Sequence, residues 1–251
     1  MIGAPLRQVY YRVMQGNNTV PALILGLGIV VAAFIGAYSF YQVHTLNNTL
    51  SVTGSATATS TADTARWTVT VSRTAYEATI ASTQTSVAKD AQSVVDFFTT
   101  AGVAADKIQV NPVQADQQYS NDQNAPTKYS VHQDVTMTSD NVRLVERLAK
   151  DVSSLANKGI FLSAQQPQYM ISTLPQIRIS LIGKAVTDAK ARAEEIAKST
   201  GQKVGPLQSA AGGVVQVMAP NSVDVSDYGS YDTSTIDKQV MVTARAVFQV
   251  R

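Results

Sequence analysis

The longest apolar run in this chain is Val20 to Tyr41, VPALILGLGIVVAAFIGAYSFY, and no polar stripe interrupts it. A helix rises about 1.5 Å per residue, so about 20 apolar residues cross a hydrocarbon core of about 30 Å. The run therefore predicts a membrane-spanning helix over residues 20–43. A cleaved secretory signal has a shorter apolar region, about 7–15 residues, followed by a small-x-small site. Here the run is longer, and Phe40-Tyr41-Gln42-Val43-His44 follows, a poor cleavage site. Tyr10, Tyr11, Tyr38, Phe40 and Tyr41 bracket the run, as aromatic residues do at membrane interfaces. An uncleaved anchor is expected.

Downstream the periodicity alternates between two and 3.6. Residues 53–64, TGSATATSTADT, have linker composition, but Leu50 to Thr53 can open an edge strand. Arg66 to Ser72 alternates, with Trp67, Val69 and Val71 on one face of a half-buried strand. Val87, Ala91, Val94, Val95 and Phe98 then recur at helical spacing, ending at Ala101-Gly102. Ile108-Gln109-Val110 reads as a short strand and residues 114–128 as a polar turn. Tyr129 to Thr138 is the cleanest alternation, with Tyr129, Val131, Gln133, Val135 and Met137 on the inner face. Ser139 or Asp140 is the expected cap of a second helix, with Val145, Leu148, Val152 and Leu155 inward and Lys158-Gly159 at its end. A strand is predicted from Ile160 through Ile171.

A third helix, about Leu174 to Thr200, places Ile182, Val186, Ala189, Ala193 and Ile196 on one face. Asp188 with Arg192 and Glu194 with Lys198 lie at i,i+4 on the wet side, and Gly201 is its stop. Val214 to Met218 reads as a short strand and residues 219–238 as a polar loop. Gln239 to Val250 is a closing strand, with Val240, Val242, Ala244, Ala246, Phe248 and Val250 inward. The mixture predicts an α+β fold with a mostly antiparallel sheet and about three amphipathic helices, preceded by the membrane helix.

Charge sets the topology. Between Arg12 and Asp63 there is no Asp, Glu, Lys or Arg. The positive-inside rule puts residues 1–19 in the cytoplasm and residues 44–251 outside it. Of 20 Lys and Arg, Arg7 and Arg12 precede the run; the other 18 balance 18 Asp and Glu. That neutrality speaks against nucleic acid as a partner. Cysteine is absent, which excludes thiol catalysis, thiolate metal sites and disulfides. Without eukaryotic features, the expected location is a bacterial inner membrane with the main domain in the periplasm or otherwise extracytoplasmic.

Candidate chemistry is sparse. His44 and His132 are the only histidines and form no multi-histidine metal site on their own. No nucleophile elbow or phosphate loop is present. Asp224, Asp227, Asp232 and Asp237 lack EF-hand spacing. Asp188 and Glu195 are about two helical turns, about 10.5 Å, apart, too far for a retaining carboxylate pair. No catalytic residue, cofactor or metal is expected. Gly26, Gly28, Ala32 and Gly36 are candidates for close helix packing in lipid, and Tyr228 and Tyr231 for an interface.

Ala185-Val186-Thr187-Asp188-Ala189-Lys190-Ala191-Arg192-Ala193-Glu194-Glu195-Ile196-Ala197, continuing to Gly201 and Gly205, resembles the helix signature of the SIMPL-domain family of bacterial periplasmic immunogenic proteins. Val52-Thr53-Gly54, Ala101-Gly102-Val103 and Asp106 to Val110 match in order, and the resemblance covers about residues 50–251. Ala56 and Ala62 depart from a second Gly and a Pro of the family pattern. The resemblance implies an exported α+β domain, ring- or cage-like assembly, and no established activity or cofactor. The leading expectation is a non-enzymatic, membrane-anchored envelope protein that self-associates as a structural scaffold, with itself and the lipid bilayer as partners. The alternative is an exported binding module for an envelope ligand or partner protein, and an unrecognised hydrolase comes third.

Overall fold

The computed structural model describes residues 19–45, 48–119, 125–222 and 226–251. Residues 1–18 of the predicted tail, with Arg7, Tyr10, Tyr11 and Arg12, and Asp224 of the polar loop, lie outside the described residues. The chain forms two compact units, residues 1–52 with 193–209 and 247–251, and residues 53–192 with 210–246.

In the first unit Thr19–Thr45 forms helix α1. Its Val20–Phe40 segment has a mean hydropathy of 2.5 and no part of it is buried. It is long and apolar enough to cross a membrane, a test that an N-terminal signal sequence also passes. Nearer the C-terminus the backbones of Lys203 and Arg251 exchange both hydrogen bonds, at 2.7 and 3.0 Å, and the Val250 amide donates to Asn48.

Two sheets order the strands. The first runs β1 (Thr49–Thr61), β10 (Asp237–Val250), β8 (Val204–Met218) and β9 (Ser230–Tyr231), in that order. The second runs β3 (Ile108–Val110), β5 (Lys128–Ser139), β2 (Thr64–Tyr76) and β6 (Leu162–Ala164). There β4 (Gln114–Gln118) also pairs with β5, and β7 (Gln168–Met170) with β2. The second sheet is antiparallel throughout, whereas β8 and β9 pair in parallel.

The second unit holds the main core. Trp67, Val69 and Val71 lie opposite Met137, Val135 and Gln133 on β5. Helix α2 (Ile80–Thr100) lays Val87, Ala91, Val94 and Phe98 into the same cluster. The Trp67 and Phe98 rings are 5.4 Å apart and tilted, and the indole N–H donates to the Gln165 carbonyl at 2.7 Å. Fully burying one such side chain is worth about 1.5–3 kcal/mol, so this alternation is what orients β2 and β5. Arg73 grips the mostly buried Asp90 of α2 with two hydrogen bonds, 2.6 and 3.1 Å. That bond, despite opposing desolvation, holds the guanidinium above its ordinary pKa.

Several expectations change. Residues 114–128 are not simply a turn: Gln114–Gln118 forms β4, exposed on both faces, so no alternation marks it. The second helix is capped by Asn141, whose side chain accepts from the Leu144 amide at 3.0 Å; Ser139 instead accepts from the Asn141 amide. That helix divides at Val152 into α3 (Val142–Asp151) and α4 (Ser153–Ala156). The strand predicted from Ile160 to Ile171 is interrupted between β6 and β7.

The last helix is α5 (Leu174–Ser199). Its buried line is Leu181, Ala185, Ala189, Ala193 and Ala197, while Ile196 is 46% exposed. Close backbone approach selects the small residues for the inner line; Ile182 and Val186 flank it half-buried, Ile182 against the core of Leu181, Val240 and Val242, and Ile196 turns outward. The strand expected at Val214–Met218 begins ten residues earlier, at Val204, because residues 206–212 are exposed on both faces and carry no alternation. The polar loop at 219–238 contains β9 and the start of β10.

Candidate functional site

Helix α1 carries the four small residues singled out for packing. At about 100° per residue, Gly28, Ala32 and Gly36 form one line, and Gly26 with Ala22, Ala33 and Ala37 forms a second, about 110° around the helix. A Cβ added at Gly26, Gly28 or Gly36 would meet nothing within 4 Å. The helix therefore presents two separate lines of small residues, and no described residue packs against these glycines.

A second arrangement joins segments 133 residues apart in the chain. Gly54 of β1 lies directly on α5, where a Cβ would collide with the Ala185 carbonyl oxygen and the Ala189 nitrogen and sit 2.8 Å from Ala189 Cα. One residue on, the Ser55 amide donates to the Asp188 carboxylate at 2.8 Å. The same carboxylate oxygen accepts from Arg192 Nε at 2.8 Å. Asp188 thus does more than pair across one helical turn, as its spacing predicts. It caps a backbone donor of β1. The signal was present in the sequence as a Gly inside a strand pattern, which marks close backbone approach; its partner was not.

The third arrangement is the segment from Pro220 to Asp237. Gln216 of β8 pins it, donating to the Ser226 carbonyl and accepting from the Ser226 amide and the Ser230 hydroxyl. Asp232 accepts from the Ser234 amide and hydroxyl at 2.6 and 2.7 Å and from the Thr235 hydroxyl at 2.9 Å. The buried Lys238 ammonium donates to the Asp232 carbonyl and lies 3.8 Å from its carboxylate. Burial pulls the Lys238 pKa below its ordinary value, with Asp232 opposing. Burial also raises the Asp232 carboxyl, but the Ser234, Thr235 and Lys238 contacts outweigh it and hold the group low.

The two candidate interface tyrosines separate here. Tyr228 is 97% exposed. Tyr231 is 40% exposed, but its hydroxyl is tied down, accepting from the Ile171 amide at 2.8 Å. A mainly apolar crevice of about 540 Å³ lies beside it, lined by Thr64, Met170, Ile171, Ser172, Tyr231 and Thr233. A more polar depression of about 520 Å³ is lined by Arg143, Glu146, Lys150, Tyr169 and Ile236 among others.

His132 of β5 faces Asp116 of β4 at 3.6 Å. Among the described residues no three His, Cys, Asp or Glu side chains gather as a metal site. Glu195 does not join Asp188, whose contacts are Ser55 and Arg192. The geometry thus offers pinned strands, an uncovered apolar helix and an apolar crevice.

The family model for SIMPL, described as "Protein of unknown function (DUF541)", matches residues 50–248. Comparison with curated proteins finds no match.

Proposed function

The chain belongs to the SIMPL family, and we propose that it is a non-enzymatic envelope protein, anchored by α1 in the cytoplasmic membrane, which self-associates into a ring- or cage-like scaffold. On this reading residues 1–19 are cytoplasmic and the SIMPL domain is periplasmic or extracytoplasmic. The observation that carries it is α1. No residue of its 21-residue apolar span is buried, and an apolar surface of that size calls for lipid or another chain. The two lines of small residues on α1 suit contact between neighbouring anchors. Family resemblance supports assembly.

The test has two parts. Full-length protein is expected in the membrane fraction, resistant to alkaline extraction, and in mild detergent its mass by mass photometry is expected to be a multiple of 26.8 kDa. Monomer alone across concentration would refute the scaffold. Processing to a shorter mature chain would refute the anchor.

The second reading, an exported binding module, rests on the apolar crevice beside Tyr231. It predicts that widening the crevice with Met170→Ala abolishes capture of an envelope ligand or partner protein while the oligomer persists. The scaffold reading predicts unchanged capture.

A further inference from the structure

We propose that the free edge of β1, from Thr57 to Thr61, is an interface at which a second copy of this chain adds its own β1 in antiparallel register. The inference deepens the self-association reading above and rests on it.

Backbone direction is the first observation. In an antiparallel strand the N–H and C=O of one residue point to the same side, and successive residues alternate. The Ala62 amide donates to Ile236, just before β10, so even-numbered residues face β10. The Ser55 amide donates instead to Asp188, so odd-numbered residues face away. Among the described residues no strand pairs with β1 on that side. Thr57, Thr59 and Thr61 therefore present their backbone donors and acceptors outward, and their side chains are exposed.

The second observation is how the edge is bounded. Exposed sheet edges are usually blunted by charge, Pro or a covering element, because they template pairing. Here Asp188 and Arg192 blunt the edge at Ser55, and beyond Thr61 the Asp63 amide donates to the Met170 carbonyl at 3.0 Å, which closes the other end. Between them the sequence is Ala56-Thr57-Ala58-Thr59-Ser60-Thr61, with no charge and no Pro. Both ends of the edge are closed by specific contacts, and the middle is left open.

The third observation selects the occupant. The free stretch is centred on Thr59. Two copies related by a two-fold axis there would pair Thr59 with Thr59, and Thr57 with Thr61 on both sides. These are hydrogen-bonded pairs, giving about six backbone bonds in all. The side chains brought together are Thr, Ala and Ser, with no like charges opposed, and cross-strand Thr pairs are favourable. Only residues 46–48 separate α1 from β1 in the chain. If α1 anchors the chain, copies are confined to one membrane plane, which raises their effective concentration. A second copy is therefore the partner that the edge fits.

The chain has no cysteine, so Thr59→Cys introduces a single thiol into the full-length protein. Hydrogen-bonded pairs place Cα atoms about 5.5 Å apart, within the about 4.4–6.8 Å that a disulfide spans. Mild oxidation in detergent or native membranes is expected to convert most of the Thr59→Cys protein to a covalent dimer. Thr53→Cys, outside the free stretch, is expected to stay monomeric on the same gel. Thr59→Pro removes an N–H that the fold does not use, and edge strands tolerate Pro. It is expected to keep its circular dichroism and lose this contact, lowering the native mass. Thr59→Lys is the second variant should the Pro form fail to fold, with the same loss expected.

If the unmodified chain is monomeric throughout, the self-association reading falls and this inference with it. If it assembles but Thr59→Pro and Thr59→Lys reach the same mass, only the edge contact falls. A Thr59→Cys protein whose thiol joins only to a different protein also overturns the proposal.

Discussion

Gly54→Ala is the sharpest probe of how β1 is held. The new methyl carbon would overlap the Ala185 oxygen and the Ala189 nitrogen and lie 2.8 Å from Ala189 Cα. Carbon atoms pack at about 3.5–4.0 Å, so strand and helix must separate by about 1 Å. Both obstacles are backbone, and no side chain can rotate away. Overpacking of this kind costs about 1–3 kcal/mol. Separation also stretches the 2.8 Å bond from the Ser55 amide to Asp188. Such a bond to a charged group contributes about 1.5–3 kcal/mol. The Asp188 side chain is 35% exposed, so water recovers part of it, and about 1 kcal/mol is a fair share. The total is about 2–4 kcal/mol. For a domain of this size 1 kcal/mol moves Tm by about 2–4 °C, so a fall of about 4–16 °C is expected. Thermal unfolding followed by near-UV circular dichroism, with urea titration to check that m is unchanged, measures it. A Gly54→Ala protein melting within about 1 °C of the parent would refute the close approach.

Gly183→Ala is the matched control: it sits in α5 with nothing within 4 Å of a new Cβ, so removing a helix glycine should stabilise by about 0.5–1 kcal/mol, raising the urea midpoint. Tyr231→Phe leaves the Ile171 amide without its acceptor and should cost about 1 kcal/mol, whereas Tyr228→Ala, at a fully open site, should leave the urea midpoint unchanged. Acid should weaken the fold in a defined direction. Burial raises the Asp63 carboxyl, but bonds from Ser172 and Thr64 prevail and hold it below its ordinary 3.8; Asp232 is likewise held low. A lowered carboxyl adds stability above its unfolded value and loses it as pH falls through its folded value. Stability should therefore be level above about pH 5 and decline below about pH 4, with a smaller decline in Asp63→Asn; a flat profile in urea titrations between about pH 5 and 3 would contradict this.

The apolar span of α1, the inward Trp67, Val69 and Val71, the alternating face of β5 and the α2 line from Val87 to Phe98 were all legible from hydrophobic spacing. Each has one wet and one dry side, or no wet side at all, so composition alone specifies its environment. Gly102 and Gly201, which the chain pattern marks as helix stops, take positive φ because a turn ending a helix needs that conformation locally. Strand β4 was not legible, since both of its faces are polar and its existence depends on the backbone groups that β5 offers. Nor was the rotation of α5: Ala and Ile both read as apolar, and only the distance to β1 decides which faces inward. The same holds for Gly54 with Asp188, and for Lys238 beneath Asp232. Local pattern determines which residues seek burial, through the free energy of leaving water. Which backbone groups are paired, capped or left open is decided only when distant segments meet, because a hydrogen bond needs its partner within about 3 Å.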